Sequence, residues 1–284
     1  MRMGMLVLNS VRNTIQAGLE MSQQSIILKV VAVFIIGIVI GVGSSQLYLS
    51  VTSPSALPSP SPSLAPSPSL SPVLALDEMY QDAIGEVMVT GQTVTYSGLT
   101  PIVEENSDLI WQGESDNKSV LVVAFTKYAS SYPVGQTVNT TWGDVWVTLV
   151  PDIQTFFQNN VDDNANLTLR AAQLLGLPPN TGNTYFVELW VQPQYLFRPT
   201  ADSEITDITA QIALPASATT EYKEWFNGNI IYSYYPPRYP WTRLGYTYDW
   251  GNPDSQVGLS EFVIKQNALV EVKSVTPTVD YLKP

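Results

Sequence analysis

A run of alternating prolines and serines separates this chain into two parts. Residues 53–72 read SPSALPSPSPSLAPSPSLSP. Proline lacks the amide hydrogen that helices and sheets require, so such a run favours extended polyproline II and disfavours regular pairing. We therefore predict a proline- and serine-rich linker, a disordered region, at residues 49–76. The remaining 77–284 are long enough for one domain of about two hundred residues.

The segment before the linker contains an apolar run. Residues 26–42 read IILKVVAVFIIGIVIGV and carry one charge, on Lys29. Extended to Tyr48, a helix with this sequence is long enough to cross the roughly 30 Å hydrocarbon core of a bilayer. We therefore predict a transmembrane signal anchor at residues 26–48, with a cleaved signal peptide as the alternative.

The charges around the apolar run predict its orientation. Arg2, Arg12 and Lys29 lie before it or at its start, and no other basic residue occurs before Lys118. Basic residues flank the cytoplasmic side of a span, so residues 1–25 are predicted to be cytoplasmic. The C-terminal domain is then extracytoplasmic, held at the cell membrane by a single pass.

Composition removes several kinds of site. The chain has no cysteine and no histidine, which excludes cysteine nucleophiles, serine–histidine triads and zinc sites with nitrogen or sulfur ligands. Residues 77–284 carry ten basic and twenty-four acidic residues, a net charge of −14. Nucleic acids and anionic lipids need clustered cations, so neither is expected as a partner of this domain.

Several segments of the domain have the composition of β-strands. They are rich in β-branched and aromatic residues, and some alternate between apolar and polar positions. The predicted strands are 87–96, 119–125, 144–150, 184–191, 242–250, 260–266 and 269–275. We expect the last two to be joined by a short turn near Asn267.

Two short helices are predicted between the strands. Asp152 is a candidate cap for a helix whose Ile153, Phe156 and Phe157 share one face, and a second helix from Leu167 ends at Gly176 before two prolines. The predicted fold class is α+β, with a mainly antiparallel sheet and two or three short helices.

Aromatic residues are concentrated near the C-terminus. Between Tyr222 and Trp250, eleven of twenty-nine residues are Phe, Tyr or Trp. If residues 242–250 form a strand, aromatic side chains project from one of its faces, and such a surface can stack on sugar rings; packing within a core is the alternative. The candidate ligand-binding residues are Trp241, Arg243, Tyr246, Tyr248 and Trp250.

The sequence DWGNPDS after the aromatic segment is rich in oxygen ligands. Asp249, Asn252 and Asp254 could converge on a calcium ion if the loop curls, which makes calcium the candidate cofactor. The same residue types are also typical of an Asx turn, with Gly251 and Pro253 setting the bend. The sequence favours the turn.

Carboxylates are the enzymatic alternative, because two acids about 5–9.5 Å apart can hydrolyse a glycosidic bond without histidine. Glu188 is the first candidate, since Phe186 and Trp190 share its strand face and would bury its carboxyl group. Asp249 and Glu261 are its candidate partners.

Two resemblances extend these predictions. GLSEFVIKQNALVEVKSV is similar to the closing strands of ADP-ribosyltransferases, in which a catalytic glutamate opens an apolar strand; Glu261 matches that residue, while Leu259 stands where the Glu-x-Glu form has its other acid. The segments LLGLPPNTGNTYFVELWV, LFRPTADSEITD and PWTRLGYTYDWGNP, followed by VGLSEFVI, resemble an uncharacterised family of exported bacterial proteins. This second resemblance implies one fold for the region and no activity.

The features together predict a binding domain. Aromatic, acidic and amide side chains are the groups that recognise sugars, and an anchor with a long linker places the domain near the cell surface. We therefore expect non-catalytic binding of a glycan or cell-wall polymer. The alternatives are a carboxylate hydrolase, an ADP-ribosyltransferase-like enzyme, and a structural or protein-interaction domain.

Overall fold

A nine-stranded sheet organises the part of the chain that the structure describes. The structure, a computed structural model, describes residues 72–91, 93–114, 117–162 and 164–283, all within one compact unit. The predicted anchor and the linker as far as residue 71 lie outside these residues. None of the helices within the described ranges combines the length and hydropathy of a bilayer span.

Runs of strands are separated by helices along the described chain, five helices in all. The α+β prediction is therefore confirmed. The helices are α1 (Pro72–Met88), α2 (Asp152–Asn160), α3 (Leu167–Leu174), α4 (Thr220–Tyr234) and α5 (Thr278–Leu282). The strands are β1 (Thr95–Tyr96), β2 (Trp111–Gln112), β3 (Ser119–Thr126), β4 (Thr137–Asn139), β5 (Val145–Leu149), β6 (Tyr185–Val191), β7 (Leu196–Phe197), β8 (Ala210–Gln211), β9 (Tyr246–Tyr248), β10 (Val257–Ile264) and β11 (Leu269–Pro277).

The main sheet has the strand order β4-β11-β6-β3-β5-β10-β7, with β2 added to β3 and β9 added to β10. Each of its described pairings is antiparallel, which confirms the predicted antiparallel sheet. A separate small sheet pairs β1 with β8.

The sheet curls back on itself. Three strands separate β10 from β11, which in a flat sheet would place them roughly 19 Å apart. They are nevertheless joined by residues 265–268, a tight turn in which the Ala268 amide donates to the Lys265 carbonyl. The predicted strands and turn at Asn267 are present, but the two strands do not pair with each other.

Alternation along the strands gives the sheet two apolar faces. The inner face packs Val122, Val147, Leu189, Phe262 and Val272 into one core. On the opposite side, here called the outer face, Leu121, Val123 and Phe186 pack against α2, α3 and α5. Because both faces are covered, β3 is apolar almost throughout.

Four predictions about secondary structure are wrong. Residues 87 and 88 end α1, and only Thr95–Tyr96 of the predicted strand 87–96 is extended. α1 begins at Pro72, inside the predicted linker. The described residues also contain five helices where two or three were predicted, since α1, α4 and α5 were not identified from the sequence. Asp152 lies in the first turn of α2 and does not cap it with its side chain.

Backbone geometry explains why residues 242–250 do not form a continuous strand. Arg243 and Gly245 have φ angles of 61° and 77°, in the left-handed region that interrupts the alternation of a strand. Only β9 remains extended, so the predicted aromatic face of five alternating side chains does not form.

Candidate functional site

A cavity of about 400 Å³ lies between α4 and the outer face of the sheet. The sheet contributes its floor, from β3, β5, β6 and β10, and the segments after α3 and before β9 contribute its walls. Its described lining is Val123, Phe125, Asp144, Trp146, Val147, Thr148, Leu175, Gly176, Leu177, Phe186, Asn229, Tyr232, Ser233, Tyr239, Pro240, Trp241, Thr247, Tyr248 and Glu261. This volume and mainly apolar lining are typical of small-molecule sites.

Glu261 is the acidic group on the floor of the cavity. It lies in the middle of β10, directly opposite Thr148 of β5, and is 7% exposed. Its Oε1 atom is buried without a hydrogen-bond partner among the described residues. Burial raises the pKa of the Glu261 carboxyl well above its usual value, since a charge is disfavoured where water is excluded. The Oε1 atom of Glu261 is therefore available for a hydrogen bond to a polar atom of a ligand.

Asn229 supplies a second unpartnered group. It lies on α4, which begins where the Thr219 side chain accepts a hydrogen bond from the Tyr222 amide. The Asn229 Nδ2 atom is buried and has no partner among the described residues. Buried polar atoms are rarely left unpaired. Asn229 and Glu261 both line the cavity, so a bound ligand would satisfy both.

Aromatic rings form much of the cavity wall. Trp241 is 5% exposed and packs edge to face with Trp146, their centroids 6.3 Å apart. Tyr232 is 53% exposed at the mouth, where its ring stacks on Tyr239 with a centroid distance of 6.0 Å. The wall therefore has a fixed inner part and an exposed outer part.

Asp144 is the second acid of the cavity. It is exposed, and its Oδ2 accepts a 2.8 Å hydrogen bond from the Trp225 indole. Its Oδ1 accepts another, also of 2.8 Å, from the Gln266 amide. Asp144 lies four residues before Thr148, which faces Glu261, so the two acids are about 13 Å apart along the strand.

Only two of the five predicted ligand-binding residues, Trp241 and Tyr248, line the cavity. Arg243 is buried, and its Nη2 donates to the Val87 carbonyl at 2.6 Å. Tyr246 packs on Tyr96, with ring centroids 4.6 Å apart. Trp250 packs on Tyr80 and donates to the Leu177 carbonyl at 2.9 Å. These three residues do not line the cavity, and their contacts hold the fold together.

Glu188 lies on the outer face outside the cavity lining, where its carboxylate is bound by other side chains. Its carboxylate accepts hydrogen bonds of 3.1 Å from Tyr281 and from Ser274. Lys273 forms an ion pair with it, with a nitrogen–oxygen distance of 2.9 Å. The predicted aromatic pocket around a free carboxyl is therefore not present, and Glu188 fastens α5 to the sheet.

The register of the sheet separates Glu188 from Glu261. Glu261 lies opposite Thr148, Thr148 opposite Val123, and Val123 opposite Glu188. Three strand spacings separate the two glutamates by roughly 14 Å measured along the sheet. This exceeds the separation that either mechanism of glycosidic hydrolysis requires, so the structure does not bring this predicted pair together.

Asp249 is paired with an arginine. It is 1% exposed, and its two oxygens accept hydrogen bonds of 2.8 and 2.6 Å from Arg170 of α3. In the loop that follows, Asn252 Oδ1 accepts from the Asp254 amide at 3.0 Å, which confirms the Asx turn.

The oxygen-rich loop thus has a structural explanation. Within the described ranges, no three acidic side chains are grouped closely enough to hold a metal ion. Calcium binding at Asp249, Asn252 and Asp254 stays a prediction.

We expect the stability of Glu261→Gln relative to the wild type to increase as pH rises. A carboxyl whose folded pKa is raised holds its proton more tightly in the folded state, so the wild type loses stability between the unfolded and folded pKa values. The advantage of the variant should grow by about 1.4 kcal/mol per pH unit above about pH 4.3, until Glu261 ionises in the folded protein. Urea unfolding at pH 4, 5.5 and 7 measures this difference.

The control for this experiment is Glu224→Gln, which removes an exposed carboxylate of α4. It should leave the pH dependence unchanged. A Glu261→Gln difference that is the same at all three pH values would contradict the burial of an unpartnered carboxyl group.

Comparison of the chain with family models, with curated proteins and with solved structures finds no match in any of the three. Both resemblances noted from the sequence therefore stay predictions. For the ADP-ribosyltransferase resemblance, Glu261 is the fifth residue of β10 and does not open the strand.

Proposed function

We propose that residues 72–283 form a non-catalytic binding domain whose site is the cavity between α4 and the outer face of the sheet, and that its ligand is a unit of a glycan. The observation that carries this proposal is the pair of buried, unpartnered polar atoms, Glu261 Oε1 and Asn229 Nδ2, on the lining of one cavity. A stable fold gains nothing from such atoms, whereas a ligand with hydroxyl groups would bond both.

The aromatic wall supports a ring-shaped ligand. Trp146, Trp241, Tyr239 and Tyr248 offer ring faces and edges around the same space. Sugar recognition combines aromatic contacts with a few polar anchors, and the cavity supplies both. The sequence predicts an anchored, extracytoplasmic location, which would place this domain where glycans are abundant.

The acids of the domain support binding over hydrolysis. Glu261 is separated from Glu188 by two intervening strands, and from Asp144 by about four residues along the strand direction. Asp249 is in an ion pair with Arg170. A hydrolase of the two-carboxylate kind needs a second acid close to Glu261. None of the candidate partners that the sequence suggested supplies one.

Tyr232→Ala should weaken glycan binding about tenfold while leaving the fold intact. Tyr232 lies at the cavity mouth and is 53% exposed, so its removal costs stacking with the ligand, about 1.4 kcal/mol, and little stability. The measurement is a thermal-shift and tryptophan-fluorescence screen of the full-length chain against a glycan panel, followed by titration of the glycans that bind.

The matched control is Tyr235→Ala. Tyr235 follows the last residue of α4, is 64% exposed and does not line the cavity. It should bind like the wild type. Equal weakening by both variants, or a panel in which no glycan changes the melting temperature or the fluorescence, would refute the proposed site.

A further inference from the structure

We propose that the ligand of this cavity carries a protonated amine, as an unacetylated amino sugar does, and that the amine pairs with the carboxylate of Glu261. This inference rests on the proposed binding function and names the chemical class of the ligand.

The charges on the cavity lining favour a cation. Its described residues include two acids, Asp144 and Glu261, and no lysine or arginine. One basic side chain at the mouth, Arg238, lies over the ring of Tyr232, with its guanidinium 4.9 Å from the ring centre, and is not part of the lining. With a net charge of −14 on residues 77–284, the domain also attracts cations and repels acidic sugars.

The surroundings of Glu261 leave it without a positive partner. The described titratable side chains that face Glu261 or line the cavity with it are Tyr232, Tyr234, Tyr239, Tyr246, Tyr248 and Asp144. Arg243 lies beyond Tyr234, with its guanidinium 5.5 Å from the centre of that ring. Tyrosines are neutral at physiological pH, so no cationic side chain among the described lining residues pairs with this carboxyl group.

The aromatic wall suits an ammonium group as well as a sugar ring. The faces of Trp and Tyr attract cations most strongly where water is excluded. Trp241 and Tyr248 are 5% and 8% exposed and both line the cavity that contains Glu261. Contact with these rings adds to the ion pair with Glu261 in favouring an amine at this position.

Pairing with an amine releases a proton. Burial raises the pKa of the Glu261 carboxyl, which favours its protonated form before a ligand binds. When a protonated amine binds beside it, the carboxyl proton passes to solvent and the carboxylate and the ammonium group form the ion pair. An uncharged ligand leaves the proton in place.

The test is isothermal titration calorimetry of the full-length chain with two matched probes at pH 6. One is a tetramer of glucosamine, which has free amines, and the other is the tetramer of N-acetylglucosamine. We expect the amine-bearing tetramer to bind at least tenfold more tightly. Comparing two buffers of different ionisation enthalpy should show the release of about one proton for this probe and none for its acetylated partner.

Two variants test whether Glu261 causes the preference for the amine-bearing tetramer and the release of a proton. Glu261→Gln should remove both the preference and the proton release, while Glu224→Gln, on the exposed side of α4, should retain both. Equal affinity for the two tetramers in the wild type, or amine binding without proton release, would overturn the inference and leave the proposed function standing. If neither tetramer nor any glycan of the panel binds, the proposed function fails, and the inference with it.

Discussion

Asp249→Asn should destabilise the protein by about 3–5 kcal/mol, because it leaves the guanidinium of Arg170, a side chain that is only 16% exposed, without its counter-charge. Asp249 is 1% exposed and binds Arg170 through both oxygens. Arg170 also lies over the ring of Phe156, 5.0 Å from its centre, so the pair joins α2 and α3 to the end of β9. For a domain of this size, the melting temperature should fall by about 6–20 °C.

Urea unfolding of the full-length chain at pH 7 measures this effect, and Asp254→Asn is its control. Asp254 is exposed in the same loop, and its carboxylate has no described ion pair. The control should change stability by less than about 0.5 kcal/mol. A change of similar size in both variants would mean that the Arg170 pair adds nothing beyond a surface charge.

Trp241→Ala should cost about 3–5 kcal/mol, as expected for a large aromatic residue removed from a core. Trp241 packs against Trp146, Trp225 and Phe226. Its indole donates to the Pro199 carbonyl at 3.1 Å, and its own carbonyl accepts from the Tyr234 hydroxyl. It is therefore part of the fold as well as of the cavity wall.

This loss of stability determines which variants test the site. Thermal unfolding of Trp241→Ala should show a much lower midpoint, whereas Trp142→Ala, at a tryptophan that is 51% exposed, should change it little. Loss of glycan binding in Trp241→Ala would then reflect unfolding, and Tyr232→Ala is the variant that separates the site from the core. A Trp241→Ala protein as stable as the wild type would contradict the packing described here.

The long strands of the sheet were predictable because their composition reflects their burial, whereas the short strands β2, β4 and β7 were missed. β3, β5 and β6 are mainly apolar or aromatic, with Thr148 and Glu188 as the polar residues inside β5 and β6. Their pairing was not predictable, since it joins residues far apart in sequence, such as Glu261 and Thr148. The two C-terminal strands looked like a hairpin because a short turn joins them, but the curl of the sheet directs each to a different neighbour.

The helix that completes the cavity was missed although its signal is present. Residues 222, 225, 226, 229, 230, 233 and 234 recur at the three- and four-residue spacing of a helix face, after Thr219 as a cap. Aromatic and β-branched residues have low helix propensity. The high aromatic content of the segment therefore argued against a helix, although the spacing of its residues favoured one.

The site was therefore only half predictable. Glu261, Trp241 and Tyr248 were identified as candidates from residue type, because acids can act in catalysis and large aromatic side chains can stack on sugar rings. Asn229, Tyr232 and Trp146 were not, since their role depends on α4 packing over β5 and β10. Burial of Glu261 without a partner is a property of the packed domain that residue type does not encode.

The most direct measurement of the central claim is an NMR titration of the full-length chain with the glucosamine tetramer, observing side-chain nitrogens. We predict that the Asn229 amide and the Trp241 and Trp146 indoles shift together with one affinity, while the indole of Trp142, which is exposed and does not line the cavity, does not. A saturable shift at Trp142 with the three cavity groups unmoved would place binding elsewhere and contradict the account.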